Sequence, residues 1–446
     1  MKIDDKFAEK IMASALKSGA DEAEIYIIKS NNLTVEVKKG ETESLEKSFD
    51  AGYSVRVIRD SREGFSYSTD PEDFMNCIER AVETSRWPEE DKYTEFPADN
   101  TQNEVDVFDP AVDALTEEKV IEMALDVEKS AVDADSRITR TRKTSVSISS
   151  GRWTIMNSRG TSKSFKSTFI TSHTMVIAED GRDNQAGWDY QGSRFLEDIS
   201  FCDIGRTAAQ RAVRLLGARK TGSSKGNIIL DNSVASEFLA IFASALSAEA
   251  VQKGKSLLAG KIGKPVVSDK VDIVDNALAD KLVGSRPFDA EGVAAKNKSL
   301  IKKGVLKGYL HNTYTANKDN TSSTGNAVRN GFKSTPSVGI TNMFIMPAEG
   351  SEPCTPDSLI SSVDNGLLVT EAMGIHTANP VSGDFSVGVT GIWISGGRLR
   401  HPVREAVISG NISDLFCNIV TCGNDLKFFG KTGSPSLLIK DTDISG

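Results

Sequence analysis

The sequence predicts an α+β protein with two related N-terminal helix–hairpin–helix units and a large C-terminal antiparallel β domain, curled or barrel-like. The chain has 446 residues, which is enough for two or three domains. Helical and alternating apolar patterns occur in the same order twice before residue 220. The rest consists mainly of short apolar runs between Gly-rich turns. The predicted domains span residues 1–95, 106–220 and 226–446.

The first unit is predicted as a helix, two hairpins and a second helix. Its first helix is amphipathic, because apolar residues recur every three to four positions from Ile3 onward. Turns at residues 31–32 and 60–64 divide the following stretch into hairpins. The four predicted strands are Glu24–Lys29, Leu33–Lys38, Tyr53–Ile58 and Phe65–Tyr67. A helix over Pro71–Arg86 closes the unit.

A second unit follows a linker predicted at residues 87–109, which are rich in Pro, Asp, Glu and Asn. Its helix, alternating strands and final helix are predicted at Thr116–Ala131, Ile138–Ala178 and Asp203–Leu216. Segments 55–63 and 175–183 both run from a strand into an acidic turn that contains arginine. This similarity favours an internal duplication. The alternative is that hairpin turns generally favour Asp, Gly and Ser.

The third region begins after a short basic linker at residues 218–226. A strand is predicted at Asn227–Leu230, followed by one long helix over about Ala235–Gln252. From Val271 onward, short apolar runs alternate with glycine-containing turns. This pattern predicts an antiparallel sheet that is curled or closed on itself.

Composition excludes several classes of function. The formal net charge is −9, and residues 1–110 hold 26 acidic against 14 basic residues, so bulk electrostatic binding to nucleic acid is not expected. A membrane-spanning helix needs an apolar run of about 18 residues, and the sequence contains no run near that length. The N-terminus lacks the apolar core of a signal peptide, and the five cysteines form no CxxC pair. We therefore expect a cytoplasmic protein with reduced thiols and no membrane or nucleic-acid partner.

Metal chemistry is poorly supported by the residues. The four histidines are scattered, and none belongs to an HExxH or HExxxH motif: His173, His311, His376 and His401. Two interpretations stay open, either ordinary strand and loop histidines or a dispersed site from His376, His401 and Cys422. Cys417 and Cys422 are five residues apart, which favours buried free thiols over a redox or zinc pair. We predict no catalytic and no metal-binding residue, and the substrate-binding residues are unknown.

Other catalytic motifs are also missing. Gly254-Lys255-Ser256 matches the end of a phosphate-binding loop, but Glu249 occupies the position of that loop's first glycine. Ser386 lacks the preceding glycine of a nucleophile elbow, because Asp384 stands two residues before it.

An ordered series of short motifs begins at Gly304. It comprises Gly304–Leu310, Asn312–Lys318, Ser323–Ala327, Met373-Gly374, Gly383–Ser386, Gly391–Ile394, Pro402-Val403 with Glu405, Ile408–Asn411 and Gly423–Asp425. This order, together with Pro287–Gly292 upstream, resembles the TldD/PmbA family. Members of that family are linked to a two-subunit metallopeptidase and to the label "modulator of DNA gyrase".

The resemblance implies a specific division of labour. The catalytic TldD-type subunit holds zinc through an HExxxH helix and a later cysteine, whereas the PmbA or TldE partner lacks that motif. In this chain the equivalent helix is Ser236–Val251, and residues 240–245 stand where the motif would lie. None of its three functional positions matches, and Cys422 falls earlier than the family's cysteine. The resemblance therefore implies a PmbA/TldE-type member. The side chains at the end of this stretch are small, which would let another backbone approach closely at Ala243, Ser244 and Ala245.

Three hypotheses follow. The first is a non-catalytic partner subunit of a heteromeric TldD-type zinc metallopeptidase that degrades small or unfolded peptides. Zinc would reside in that catalytic partner, with no cofactor in this chain and activity only in the complex. Extended peptides would bind by adding a strand to a sheet edge. The second is a stand-alone peptide-binding or chaperone-like modulator without peptidase activity, for example a homodimer. The third is a metalloenzyme built from dispersed ligands.

Overall fold

The computed structural model describes residues 3–181 and 183–446. In the first unit two helices flank three strands: α1 (Asp5–Lys17), β1 (Glu22–Lys38), β2 (Glu41–Arg59), β3 (Arg62–Ser68) and α2 (Phe74–Thr84). The second unit repeats this order after one extra helical turn: α3 (Pro110–Asp113), α4 (Glu117–Ala134), β4 (Ile138–Asn157), β5 (Ser162–Glu179), β6 (Asn184–Ser193) and α5 (Phe201–Val213).

The C-terminal domain contains the remaining elements. They are β7 (Ser224–Leu230), α6 (Asn232–Ala243), α7 (Ala248–Gln252), β8 (Val271–Asn276), β9 (Asn297–Lys302), β10 (Val305–Leu306), α8 (Thr313–Lys318), β11 (Ala327–Val328), β12 (Ser337–Val338), β13 (Met343–Pro347), α9 (Pro356–Ser361), β14 (Asn365–Met373), β15 (Asp384–Ser395), β16 (Arg398–Asn411), α10 (Ile412–Cys417), β17 (Ile419–Cys422), β18 (Lys427–Phe429), β19 (Thr432–Ser434) and β20 (Leu437–Ser445).

The helix–hairpin–helix prediction is wrong in its strand count, because each unit has three strands rather than two hairpins. No turn occurs at Asn31-Asn32, since β1 runs through them as one strand of 17 residues. Strands on both sides pair with this stretch, and the Asn32 amide donates to Ser48 and Asp50. The turn lies at Lys39-Gly40, where both residues have positive φ angles of 56° and 75°.

The two N-terminal units share one six-stranded antiparallel sheet in the order β3-β2-β1-β4-β5-β6. Strands β1 and β4 pair at its centre, so each unit contributes half of the sheet. The segment 175–183, which resembles 55–63, includes Arg182, and that residue lies outside the described residues.

The helices cover one face of this sheet, which we call the helix face. Side chains alternate along a strand, so odd-numbered residues of β1 point to this face. Near the start of β1, Ile25 and Ile27 pack with the core beneath α1 and α2, whereas Val35 packs with α4. Hydrogen bonds at the helix starts fix these elements, since Asp4 accepts from Phe7 N at 3.0 Å.

The C-terminal domain is built on two sheets. One closes into a ring of five strands, β16-β15-β14-β7-β20, because β16 also pairs with β20. The other has the order β10-β9-β8-β13-β19-β18. Each contains one parallel pair, β7 with β14 and β13 with β19, so the domain is not purely antiparallel as predicted. Helix α6 contacts strands of both sheets and lies in the middle of the core. There the rings of Phe238 and Phe385 pack together, with 5.0 Å between their centroids.

The long helix predicted over residues 235–252 is interrupted. Helix α6 ends at Ala243, a 3-10 turn follows, and Ser247 adopts an extended conformation before α7. The cause is a strand-like bridge to Leu310, whose carbonyl accepts from Ala248 N at 2.9 Å and whose N–H donates to Leu246 O. Within the described ranges, no helix is long and apolar enough to cross a membrane.

Candidate functional site

The second face of the N-terminal sheet meets the C-terminal domain, and we call it the domain face. Even-numbered residues of β1 point this way, and among them Glu24 lies opposite Arg56 of β2. Gly52 of β2 belongs to the same face, and a Cβ there would come within 2.2 Å of the Phe332 ring. The absence of a side chain at Gly52 therefore lets the C-terminal domain approach the sheet closely.

A buried ion network joins the two domains. Arg56 Nη1 lies 3.1 Å from Glu24 Oε1, and Arg56 Nη2 lies 3.0 Å from Glu63 Oε2. Arg329, from the C-terminal domain, donates to the same Glu24 oxygen. The Glu24 and Arg329 side chains are wholly buried. Buried charges are costly unless paired, so this network holds the domains in one relative position.

Glu291 adds a third carboxylate to the network from the C-terminal side. Its Oε1 lies 3.9 Å from Arg56 Nη1, and its Oε2 accepts from Thr313 N at 2.8 Å. Burial, and next the charge of Asp289, raise the pKa of Glu291 to about 7. Burial alone would lower the pKa of Arg56. The charges of Glu24, Glu63 and Glu291 outweigh that effect, so the pKa of Arg56 is raised above its ordinary value.

A cavity of about 290 Å³, the carboxylate cavity, opens beside Arg56. Its wall includes carboxylates from three parts of the chain: Glu63, Glu95, Glu249 and Glu291. Residue Tyr314 of α8 also lines it and donates its hydroxyl to Asp91 Oδ2 at 2.9 Å. A carboxyl group with a pKa near neutrality can take up or release a proton here. Arg329 lies on the other side of Glu24 and lines a second, smaller cavity.

Helix α6 presents a short outward stripe. Ala240 and Ser244 are exposed, and Glu237 is partly buried on the same side, one turn away. Burial, followed by the charges of Asp231 and Glu371, raises the pKa of Glu237 to about 7. Residues 240–245 contain no histidine, cysteine or carboxylate. This stripe can contact another molecule but offers a metal ion only the single Glu237 carboxylate.

The proposed close-approach surface at residues 243–245 is only partly correct. Ala243 and Ala245 are buried in the chain's own core, 6% and 0% exposed, because α6 packs between the two sheets. Ser244 alone of the three faces outward.

The structure does not bring the dispersed histidines and cysteine together. His376 follows β14 in a 3-10 turn, and His401 lies on β16 rather than in a loop. Cys422 is buried at the end of β17, where burial and Cys354 raise the pKa of its thiol to about 11. Among the described residues, no three His, Cys, Asp or Glu side chains are arranged to hold a metal ion.

The remaining histidines and cysteines singled out in the sequence lie in different parts of the structure. His173 is a strand residue as expected, on β5, and burial lowers its pKa. His311 is buried just before α8, and its Nδ1 has no partner within the described part of the chain. The prediction of two buried thiols is wrong for Cys417, which is exposed because it ends the short surface helix α10.

The two halves of the sheet differ at their edges. Strand β3 pairs with β2 only from Tyr53 onward, so among the described strands none pairs with the outer side of Glu41–Asp50. In the equivalent part of β5, the linker covers the edge: Thr168 N donates to Val107 O at 3.0 Å. The open edge of β2 also exposes two apolar side chains, Leu45 (40%) and Phe49 (66%). Such an edge is a template for an added strand.

The network residues were not identified from the sequence, although signals for them exist. Glu24 and Arg56 are charged residues within apolar strand patterns, and such residues are seldom buried without a partner. Glu291 belongs to the motif Pro287–Gly292, and Arg329 follows the motif Ser323–Ala327 by two residues. Two of the family motifs thus lie at the domain face.

Comparisons with known proteins agree with this architecture. Three family models match consecutive parts of the chain: PmbA/TldA metallopeptidase domain 1 at residues 23–85, the central domain at 110–216 and the C-terminal domain at 223–446. The chain belongs to the PmbA/TldD family. Its relatives include Metalloprotease PmbA from Escherichia coli O157:H7, which is 29% identical over 99% of this chain and 96% of that protein. The homologue from Haemophilus influenzae is 28% identical, over 97% and 94% of the two chains.

Solved structures share the fold over its full length. A candidate modulator of DNA gyrase from Thermotoga maritima superposes with a TM-score of 0.91 at 28% identity, covering 99% of both chains. TldE from Thermococcus kodakarensis gives a TM-score of 0.89, covering 99% of this chain and all of that one. At 21% identity, the likeness to TldE concerns the fold.

Proposed function

We propose that this PmbA/TldD family member is the non-catalytic partner subunit of a TldD-type zinc metallopeptidase that degrades small or unfolded peptides. One observation carries the proposal: the outward stripe of α6 presents Ala240 and Ser244 at the helix where the resemblance puts the catalytic motif. The expected zinc would belong to the catalytic partner, with no cofactor in this chain. A cytoplasmic location is part of the same proposal, since all five cysteines are free.

The uncovered half of the domain face supports a role in enclosing peptides. Beyond Ile28, the side chains of this face are mostly small and polar: Ser30, Asn32, Thr34, Ser147 and Ser149. They bond to one another, as in the 3.0 Å contact between the Thr34 and Ser147 hydroxyls and the 2.7 Å contact from Ser149 to Asn32. Acidic side chains stand among them, since Asp50 lies opposite Ser30 and Glu46 opposite Thr34. A wall of hydroxyls and a few carboxylates offers many hydrogen-bond partners to a peptide, which fits varied substrates.

Strand addition at the open edge of β2 is the proposed mode of peptide binding. The backbone groups of Glu41–Asp50 on the outer side are available to pair with an extended peptide. Leu45 and Phe49 are four residues apart on one strand, so their side chains lie on the same side of the sheet. Both can therefore contact side chains on one face of the added peptide. Backbone pairing of this kind tolerates many sequences.

Co-expression with an HExxxH-bearing family member tests the proposal. We expect one complex on size exclusion and hydrolysis of an unfolded peptide by the complex only, with zinc in the partner. Two proteins that elute separately, with the partner fully active alone, would contradict it. Variants Ala240→Arg and Ser244→Arg should prevent association, whereas Ser322→Arg, the same kind of change at another exposed position, serves as a matched control.

The peptide mode needs a separate measurement. A peptide whose alternate amides are N-methylated keeps its side chains but loses the donors needed for pairing. We expect it to bind the complex much more weakly than the unmodified peptide. Equal binding would exclude strand addition. A homodimer that binds unfolded peptides and forms no complex would instead support the stand-alone modulator.

A further inference from the structure

The second cavity of the domain face, about 190 Å³, lies on the Arg329 side of Glu24. We call it the arginine cavity. Its apolar wall consists of aromatic side chains from both domains, with Trp153 and Phe165 stacked at 5.3 Å and Phe288 edge-on to Phe165 at 5.2 Å. Tyr26 completes this wall. The volume is that of about six water molecules, which suits one side chain with a small polar group.

Four cationic residues and one carboxylate also line the cavity: Arg194, Arg286, Arg329, Lys431 and Asp289. The carboxylate is already occupied by backbone donors. Asp289 Oδ1 accepts from Glu291 N and Val293 N, at 2.9 and 3.0 Å, and Oδ2 accepts from Ala327 N at 2.9 Å. Asp289 therefore has little capacity left for the cations around it.

Two of the cations are engaged elsewhere. Arg329 bonds to Glu24 and lies over the Tyr26 ring, 4.5 Å from its centroid. Arg194 donates to backbone carbonyls on both sides of the domain boundary, including Thr168 O at 3.0 Å and Leu282 O at 3.3 Å. Both arginines act as structural links between the domains.

Among the described residues, Arg286 and Lys431 form no ion pair. The charge of buried Asp275 acts on both, and that of Asp289 acts on Arg286, but Asp275 is itself paired with Lys298 at 3.0 Å. Arg286 makes a 3.2 Å bond to Gly325 O, but its buried Nε has no partner among the described residues. Within the same residues, the Lys431 ammonium meets no acceptor, and this residue is exposed at the cavity's mouth. Although the residue as a whole is exposed, the protein atoms packed around its amine, and then the repulsion from Arg286 and Arg194, lower the pKa of Lys431, and the charge of Asp275 offsets this in part. An anion between them would relieve that repulsion.

We propose that the arginine cavity binds the C-terminal residue of a peptide, with its carboxylate between Arg286 and Lys431 and its apolar side chain against Trp153 and Phe165. Guanidinium groups match carboxylates in shape and charge. The aromatic wall distinguishes this ligand from an inorganic anion, which would leave the wall unused. The inference rests on the proposed function, since it names a feature of the peptides that the complex would take.

Calorimetric titration of the full chain tests the cavity with four probes. They are Ala-Ala-Phe as the free acid, the same peptide as its C-terminal amide, Ala-Ala-Ala as the free acid, and inorganic phosphate. We expect the first to bind at least about tenfold more tightly than its amide, because charge-assisted bonds to a carboxylate are lost. The Ala-terminated peptide should bind more weakly than the Phe-terminated one. Phosphate binding as tight as Ala-Ala-Phe, or equal binding of acid and amide, would overturn the proposal.

Variants separate this cavity from a general effect of charge. Lys431→Met changes an exposed side chain that makes no hydrogen bond or ion pair among the described residues, and should reduce binding of the free acid about tenfold or more. Arg286→Met should act in the same direction, with folding checked by circular dichroism. Lys302→Met removes a distant exposed lysine and should leave binding unchanged. Loss of binding in Lys302→Met as large as in Lys431→Met would also overturn the proposal.

The two proposals fail separately. A complex that forms with the catalytic partner but shows no preference for the free acid would remove only the carboxylate site. Preference for the free acid by a chain that joins no partner would keep the carboxylate site and remove the partner-subunit function.

Discussion

The two faces of the N-terminal sheet are built from the same strands but have opposite chemistry. On the helix face, Val35, Val55 and Ile170 are fully buried in apolar cores. On the domain face, Glu24 and Arg56 are buried in an ion network, with Arg56 lining the carboxylate cavity and Arg329 lining the arginine cavity. The helix face thus supplies hydrophobic stabilisation, whereas the domain face positions the C-terminal domain and contains both cavities.

The largest expected effect comes from breaking the ion network. Arg329→Met should lower the free energy of unfolding by about 3–5 kcal/mol, because it leaves Glu24 buried with one partner fewer. Urea denaturation measures this change. Adding Glu24→Gln to the variant should restore part of the loss, since no unpaired charge is then buried. A loss too small to measure would show that the domain face does not depend on paired charges.

The next effect is a dependence on pH. The folded pKa of Glu291 is about 7 against an ordinary value of 4.5, so the folded chain holds a proton that the unfolded chain has released. Stability relative to Glu291→Gln should therefore fall as the pH rises from about 4.5 to about 7, and then stay level. Glutamine keeps an oxygen to accept from Thr313 N. Unfolding at pH 5, 6, 7 and 8 gives the difference, and a constant difference would contradict the raised pKa.

A smaller effect is expected on the helix face. Ile170→Val removes one methylene from a closed core and should cost about 0.5–1.5 kcal/mol. The same change at Ile28, which is only partly buried on the domain face, should cost less. Thermal unfolding of the pair compares the two faces directly. Equal losses of stability in the two variants would contradict the expected difference, because they would imply equally close packing on both faces of the sheet.

The smallest effect concerns the surface. Lys47 Nζ lies 2.7 Å from Glu117 Oε1, but the two side chains are 66% and 42% exposed. Water and salt screen such a pair, so Lys47→Met should leave the unfolding midpoint unchanged within error. The difference in unfolding midpoint between this variant and the unaltered chain should also stay the same when the salt concentration is raised. A clear loss of stability would assign this distal part of the sheet a structural role that its exposure does not suggest.

Local sequence patterns predicted the helices well and the strands less well. Helices α1, α2, α4 and α5 lie where amphipathic spacing indicated, because one face of each packs on the sheet. The turn at Asn31-Asn32 was wrong because pairing with β2 and β4 on both sides keeps β1 extended there. The break at Ser247 was missed because it depends on Leu310, a residue distant in the sequence.

The site was less accessible to sequence reasoning than the fold. The lack of an HExxxH motif can be read directly from the chain, and it still motivates the partner-subunit proposal. The network cannot be read in this way, since Glu24 and Arg329 are 305 residues apart. A charged residue in an apolar strand indicates that a partner is needed but does not identify it.

By itself, the sequence determined the α+β class, most of the helices, the family resemblance and the scatter of the four histidines. These properties follow from composition and from patterns within a few residues, which short-range sterics and burial control. The tertiary structure decided which charges meet on the domain face, that Cys422 stays apart from the histidines, and that β2 has an open edge. Those outcomes depend on how distant strands pair and on how the C-terminal domain docks, because unpaired charges and backbone groups are stable only where packing supplies a partner or water.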